Sequence, residues 1–131
     1  MASSSVALPI LTDLPNNVVF QQVLETNPGI VIIKFGAEWC GPCKQIEGHV
    51  KILMSKMQPN VQCYIIDIDD SLEVYSFLKK KRMVNGIPVI LAYYEGNNSY
   101  IPDDAIIGAD VVKINEFFER SYKKAMELSE N

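Results

Sequence analysis

Residues 30–35 read Ile-Val-Ile-Ile-Lys-Phe, an apolar run broken once. Such a run, without alternation, predicts a strand covered on both faces. Its one polar member is Lys34. Two further β-rich segments follow at residues 61–68, with Tyr64, Ile65, Ile66 and Ile68, and at residues 89–94. After the turn Gly96-Asn97-Asn98, residues 100–107 predict an antiparallel hairpin partner despite Pro102. At the other end, residues 6–11 predict a short edge strand, because Pro9 removes a ladder donor and disfavours a central position.

Between these segments the apolar spacing changes to the helical period. Residues 16–25 place Val19, Phe20, Val23 and Leu24 on one face, and Asn27-Pro28-Gly29 ends them. Beyond residue 43, Ile46, Val50, Leu53 and Met57 recur at helical spacing. Asp70, with Glu73 three residues on, predicts a capping box for a third helix. That helix ends in Lys79-Lys80-Lys81-Arg82, cations suited to a helix C-terminus. Asp110 predicts the cap of a last helix with Ile114, Phe117, Phe118 and Ala125 facing inward. The order βαβαβαββα is that of an α/β domain: a central mixed sheet of about five strands flanked by four helices, its parallel core closed by an antiparallel edge. No internal repeat or linker divides the chain, so one domain is expected over residues 1–131, with residues 1–4 as a disordered tail.

Composition narrows the classes of function. The 131 residues suffice for a core without staples. Hydrophobic content of 48% with 21% charged residues is that of a globular chain. A net charge of −4 supplies no general attraction to nucleic acid or to anionic membranes. Nothing approaches the ~20 apolar residues of a membrane-spanning helix. Three cysteines are too few, and an odd number, for a secreted disulfide framework, so a reducing compartment fits better. Residues 1–5 lack a basic leader, and the apolar stretch after them is short. The expectation is a soluble cytoplasmic protein with neither a nucleic-acid nor a membrane partner.

Cys40 and Cys43 follow the buried strand and open the second helix. Two intervening residues let the sulfurs meet as the chain turns into the helix. The helix N-terminus favours a thiolate through its unpaired N–H groups and partial positive charge. Pro42 falls in the first turn, where its missing N–H costs little, and Gly41 lets the backbone turn and leaves Cys40 uncovered. Position assigns the roles. Cys40 is the expected exposed nucleophile towards a substrate disulfide, and Cys43, one turn inside, resolves the mixed disulfide. Trp39 offers a peptide an apolar rest. A metal reading is also open, since Cys40, Cys43, His49 and Cys63 form a donor set that structural zinc accepts. Against it, His49 lies on the second helix and suits its surface, while Cys63 lies within a strand and suits the core.

The segment Ala37-Glu38-Trp39-Cys40-Gly41-Pro42-Cys43-Lys44 resembles the active-site segment of the thioredoxin family. Gly86-Ile87-Pro88 resembles that family's second landmark, whose proline is cis and faces the cysteine pair, and Gly108 matches its glycine after the last strand, beside the substrate groove. The similarity in element order runs over residues 6–128. The resemblance implies a thioredoxin fold and a protein-disulfide reductase with no cofactor besides the redox-active pair Cys40–Cys43. It implies a substrate groove of Trp39, Gly41, Pro42, Gly86, Ile87, Pro88 and Gly108, with the Ile87 backbone pairing to an extended substrate strand. It further implies disulfide-bearing protein substrates, a thioredoxin reductase-type or glutathione-linked reductant, and a monomer. The same residues run in reverse would make an oxidant or an isomerase. The rival of another class is a binding module that does not need its cysteines.

Four positions depart from that family's pattern. Lys34 stands where a buried carboxylate is thought to move the proton of the inner cysteine, and Ile65 replaces the lysine opposite it. Gly48 replaces a kinking proline, and Gly36 an aromatic behind the site. A neutral Lys34 amine would accept the Cys43 proton, whereas a protonated one would stabilise a nearby thiolate. The plainer alternative is that Lys34 snorkels past the sheet edge or pairs with Asp67.

Overall fold

The computed structural model describes residues 6–130; the tail expected at residues 1–4 lies outside the described residues. In chain order the elements are α1 (Asn17–Glu25), β1 (Ile30–Gly36), α2 (Gly41–Ser55), β2 (Val61–Asp67), α3 (Leu72–Lys80), β3 (Val89–Tyr94), β4 (Asp104–Ile107) and α4 (Val111–Ser129). The strands form one mixed sheet in the order β2-β1-β3-β4. β1 runs parallel to β2, with Lys34 opposite Ile65. β1 and β3, and β3 and β4, are antiparallel.

β1 is buried at all seven positions because helices cover both faces of the sheet. Its odd-numbered residues Val31, Ile33 and Phe35 pack with Phe20 and Leu24 of α1 and with Tyr75 and Leu78 of α3. The even-numbered Ile30 and Ile32 pack with Ile46 and Val50 of α2 and with Ile114 and Phe117 of α4. Side chains alternate along a strand, so Lys34 falls on the α2 face. No helix among the described residues is long and apolar enough to cross a membrane.

The sheet has four strands, not about five. The segment expected as a first strand pairs at one residue, a parallel bridge between Leu11 and Tyr64. Leu11 N donates to Cys63 O at 3.0 Å and Leu11 O accepts from Ile65 N at 2.9 Å. Pro9 has no N–H to extend that ladder, and the chain then leaves the sheet to bury Leu14 beside α1. The segment thus lies at the expected edge without becoming a strand. β4 is likewise shorter than its sequence suggests. Asn97 Nδ2 donates to Ile101 O and to Asp103 Oδ2, and Asp103 Oδ2 also accepts from Tyr94 N. Those side-chain bonds hold residues 97–103 as a turn.

The expected capping box at Asp70 does not form. Ser71 is the N-cap of α3, without a side-chain bond to the helix. Glu73 Oε2 instead accepts from Asn17 N at 2.8 Å, tying α3 to the start of α1. Asp110 caps α4 as expected, its Oδ1 accepting from Val112 N and Lys113 N.

Candidate active site

Cys40 and Cys43 are joined by a disulfide with their Cα atoms 5.3 Å apart. Cys40 is the N-cap of the 15-residue α2, and its Sγ accepts from Cys43 N at 3.2 Å. Cys40 O accepts from Lys44 N, the first rung of the helix. The pair therefore sits in the partial positive charge of a helix N-terminus. The sequence expectation of an open Cys40 is corrected here: it is 6% exposed, against 2% for Cys43. Bonded to Cys43, its sulfur is turned back over the helix end. Gly41 also acts differently from expectation. It occupies the first turn of α2 outside the left-handed region, and a Cβ there would meet nothing within 4 Å. Its missing side chain is therefore needed neither for the turn nor to leave room beside the pair.

Two aspartates at the end of β2 hold the loop before the helix. Asp67 Oδ2 accepts from Glu38 N at 3.2 Å and its Oδ1 from Asp69 N at 2.9 Å. Asp69 Oδ2 accepts from the indole Nε1 of Trp39 at 2.9 Å. Exposed Trp39, Gly41 and Pro42 form one wall around the pair. The other wall comes from the loop before β3, where the Ile87–Pro88 bond is cis, as the resemblance implies. Ile87 and Ile68 pack against Ala37, Cys40 and Cys43. Gly86 precedes them, half-buried. Gly108, at φ +95, donates its N–H to Pro88 O at 2.9 Å, a left-handed conformation that a side chain would strain. The residues expected at a groove are thus brought together at one end of the sheet.

Lys34 lies beneath them. It is 1% exposed, and its Nζ is 3.6 Å from Glu47 Oε1 of α2. Burial pushes its pKa below the ordinary lysine value, and the Glu47 carboxylate offsets part of that. Lys34 neither snorkels out nor pairs with Asp67, because its position on β1 aims it at α2 while the Asp67 carboxylate is engaged by Glu38 and Asp69.

The zinc donor set does not assemble. His49 Nε2 is hydrogen-bonded to Asn115 Oδ1, and Cys63 is buried in β2 with its thiol pKa pushed up to about 12 by burial. Among the described residues no three His, Cys, Asp or Glu side chains are placed to hold a metal ion.

The thioredoxin family model matches residues 12–118. The chain belongs to the thioredoxin family. Among curated thioredoxins it is 33% identical over 92 residues to mitochondrial thioredoxin O1 of Arabidopsis thaliana, covering 70% of this chain and 44% of that one. It is 35% identical over 72 residues to the thioredoxin of Bacillus subtilis, covering 55% and 65%. The chain spans about half the length of the curated relatives it matches. The crystal structure of Plasmodium falciparum thioredoxin superposes with a TM-score of 0.65 at 26% identity, covering 84% of each chain.

Two residues of this thioredoxin-family site escaped the sequence reading, Asp69 and Glu47, and Asp67 was weighed only as a partner of Lys34 and not as the brace of the loop. Each acts through a contact distant in sequence, Trp39 to Asp69 and Lys34 to Glu47. Asp67 and Asp69 carried one local signal, an aspartate pair directly after a strand, which is as readily a turn as a brace.

Proposed function

We propose that this chain is a thiol–disulfide oxidoreductase that reduces protein disulfides, with Cys40 as nucleophile and Cys43 as resolving thiol. The observation that carries this reading is the Cys40–Cys43 disulfide at the N-terminus of α2, between Trp39 and Ile87. In the dithiol form, the Cys40 thiolate attacks one sulfur of a substrate disulfide, and the other leaves as a thiolate that takes a proton. The Cys43 thiolate then attacks Cys40 Sγ, breaks the mixed disulfide and releases the second substrate thiol. Two electrons pass to the substrate and the Cys40–Cys43 disulfide remains. The helix N-terminus stabilises the Cys40 thiolate, and Trp39, Gly41, Pro42, Gly86, Ile87, Pro88 and Gly108 receive an extended segment of the substrate. Return to the dithiol needs a two-electron donor, a thioredoxin reductase-type or glutathione-linked one. A reducing compartment, of which the cytoplasm is one, suits a monomer working in this direction.

The test is an insulin-type disulfide reduction assay with equilibration of the Cys40–Cys43 couple against glutathione. The expected result is turnover with a reducing couple, none in Cys40→Ser, and a trapped mixed disulfide in Cys43→Ser. Absent turnover in the unaltered chain, or an oxidising couple, overturns the reductase reading. Partner capture undiminished in Cys40→Ser would point to a binding module.

A further inference from the structure

On the dithiol reading above, we infer that Lys34 is the proton acceptor of Cys43, its amine facing the inner sulfur across the gap that Gly36 leaves. Lys34 and Gly36 are two residues apart on β1, so both face α2, which buries Cys43 in its first turn. A Cβ built on Gly36 would lie 3.3 Å from Lys34 Nζ, 3.3 Å from Cys43 Cβ and 3.4 Å from Cys43 Sγ. The amine and the sulfur thus flank one point, and their separation is no greater than the sum of the two distances. That sets an upper bound of about 6.7 Å, the sum of 3.3 Å and 3.4 Å, a span that a short water relay from the adjoining cavity closes for general-base chemistry. Any side chain at position 36 would stand in that line.

The amine is buried from bulk solvent yet borders a cavity of about 570 Å3 that opens to the surface, walled in part by Gly36, Ile65, Glu47 and Lys51. From β2, Ile65 lies opposite Lys34 and brings no charge. Asp67, also from β2, spends its carboxylate on two backbone N–H groups. From α2, Glu47 meets Lys34 through Oε1 and Lys51 through Oε2, the latter at 3.4 Å, so its charge is shared between the Lys34 amine and the exposed Lys51 cation. On the rim, Lys44 pairs with Glu38 at 3.4 Å, and Asp70 adds one more carboxylate to the lining. A buried amine with half a counter-charge gives up its proton readily, and burial does lower its pKa.

The step balances without an added reagent. The Cys43 thiol gives its proton to the Lys34 amine, leaving a thiolate beside an ammonium. The thiolate attacks Cys40 Sγ, the bond between Cys40 and the substrate sulfur breaks, and the substrate leaves with the electron pair. The ammonium then returns its proton to solvent past Glu47, which is 44% exposed, or to the departing thiolate. In the opposite direction the ammonium protonates Cys43 as the disulfide opens. Lys34 and Cys43 titrate as a coupled pair.

The decisive measurement is the thiolate absorbance of Cys43 against pH in the reduced full chain. Cys40→Ser and Cys63→Ser leave it as the one thiol, with or without Lys34→Met. The expected result is that Lys34→Met moves the Cys43 midpoint up by about one pH unit, which is tenfold less thiolate at a given pH. An unmoved midpoint overturns the inference. A second measurement needs no variant: side-chain NMR of Lys34 in the unaltered chain, oxidised and reduced. The amine must be neutral at the working pH in the oxidised form and hold its proton to higher pH in the reduced form, where a thiolate arises beside it. An ammonium at that pH in the oxidised form makes Lys34 an electrostatic partner of the thiolate and overturns the inference. Identical titrations in the two forms overturn it equally. Neither measurement depends on turnover, so a chain that fails to reduce protein disulfides contradicts the oxidoreductase reading and leaves this one standing.

Discussion

The indole of Trp39 is fastened at one end and open everywhere else: Nε1 donates to Asp69 Oδ2 at 2.9 Å while 67% of the residue faces solvent. An exposed aromatic is normally free to sample rotamers, and ordering such a side chain on binding costs about 0.5–1.5 kcal/mol. Here the ordering is done before a substrate arrives. Asp69→Ala is expected to raise KM for a protein disulfide roughly two- to tenfold while leaving the rate with a small disulfide unchanged. Steady-state kinetics with both substrates checks this, and fluorescence anisotropy reports the indole directly, since the chain has one tryptophan.

Cys63 stands apart from the exchange chemistry. Burial in β2 pushes its thiol pKa up to about 12, so at neutral pH it carries almost no thiolate to react. Cys63→Ala is expected to leave disulfide reduction unchanged. Alkylation of the oxidised native chain should label no cysteine until the chain unfolds, as mass spectrometry against denaturant concentration will show.

α2 carries a glycine at its midpoint that the structure does not use. A Cβ on Gly48 would meet nothing within 4 Å, and the helix runs through it unbroken. Gly48→Ala is expected to stabilise the fold by roughly 0.5–1 kcal/mol, seen as a higher denaturant midpoint with an unchanged slope.

The buried Lys34 makes stability depend on pH with a definite sign. Its folded pKa lies below the unfolded value of 10.5. Between the two, the unfolded chain binds more protons than the folded one, so stability rises with pH across that window. Below it the full penalty of burying a charge applies. Lys34→Met is therefore expected to be more stable than the unaltered chain near neutrality, with the difference shrinking as pH approaches 10.5. Chemical denaturation at a series of pH values tests both the sign and the convergence.

Asn27 joins the end of α1 to the sheet. Its Nδ2 donates to Tyr93 O at 2.8 Å and its Oδ1 accepts from Gly29 N at 2.9 Å, both buried. Asn27→Ala leaves those two backbone groups without their partner and is expected to cost about 1–3 kcal/mol, measured by equilibrium unfolding.

Apolar spacing was enough for α1, α2 and α4, and an unbroken apolar run for β1, because each buries a continuous face and a buried face must be apolar. β2 and β3 were legible from β-rich residue types, and α3 from its end signals alone. The limits of β4 and the fate of residues 6–11 were not legible. In both places side-chain hydrogen bonds and a proline decide whether backbone pairing continues, and hydropathy is blind to each. The α3 cap failed for a related reason: Glu73 is drawn to Asn17, 56 residues away, and a local motif carries no knowledge of that competitor. At the site, Cys40, Cys43 and Trp39 were evident from residue type and order, and the Ile87–Pro88 loop from the family resemblance. The partner of Lys34 was not, since strand alternation aims it at α2 but only the packing of α2 on β1 selects Glu47.

The close meeting at Gly36 also limits how such a site can be altered one residue at a time. Cys43 Cβ and Lys34 Nζ each leave a contact of 3.3 Å for even a methyl group there, and Cys43 is fixed by the helix cap. A large residue at position 36 and a long amine at position 34 therefore compete for one volume, and overfilling a packed interior costs about 1–3 kcal/mol. A stepwise path into this arrangement has to empty position 36 before lengthening position 34, and a path out has to shorten 34 first. Single exchanges at either position, taken in the wrong order, pass through an overcrowded chain, which makes the pair a ratchet in sequence space.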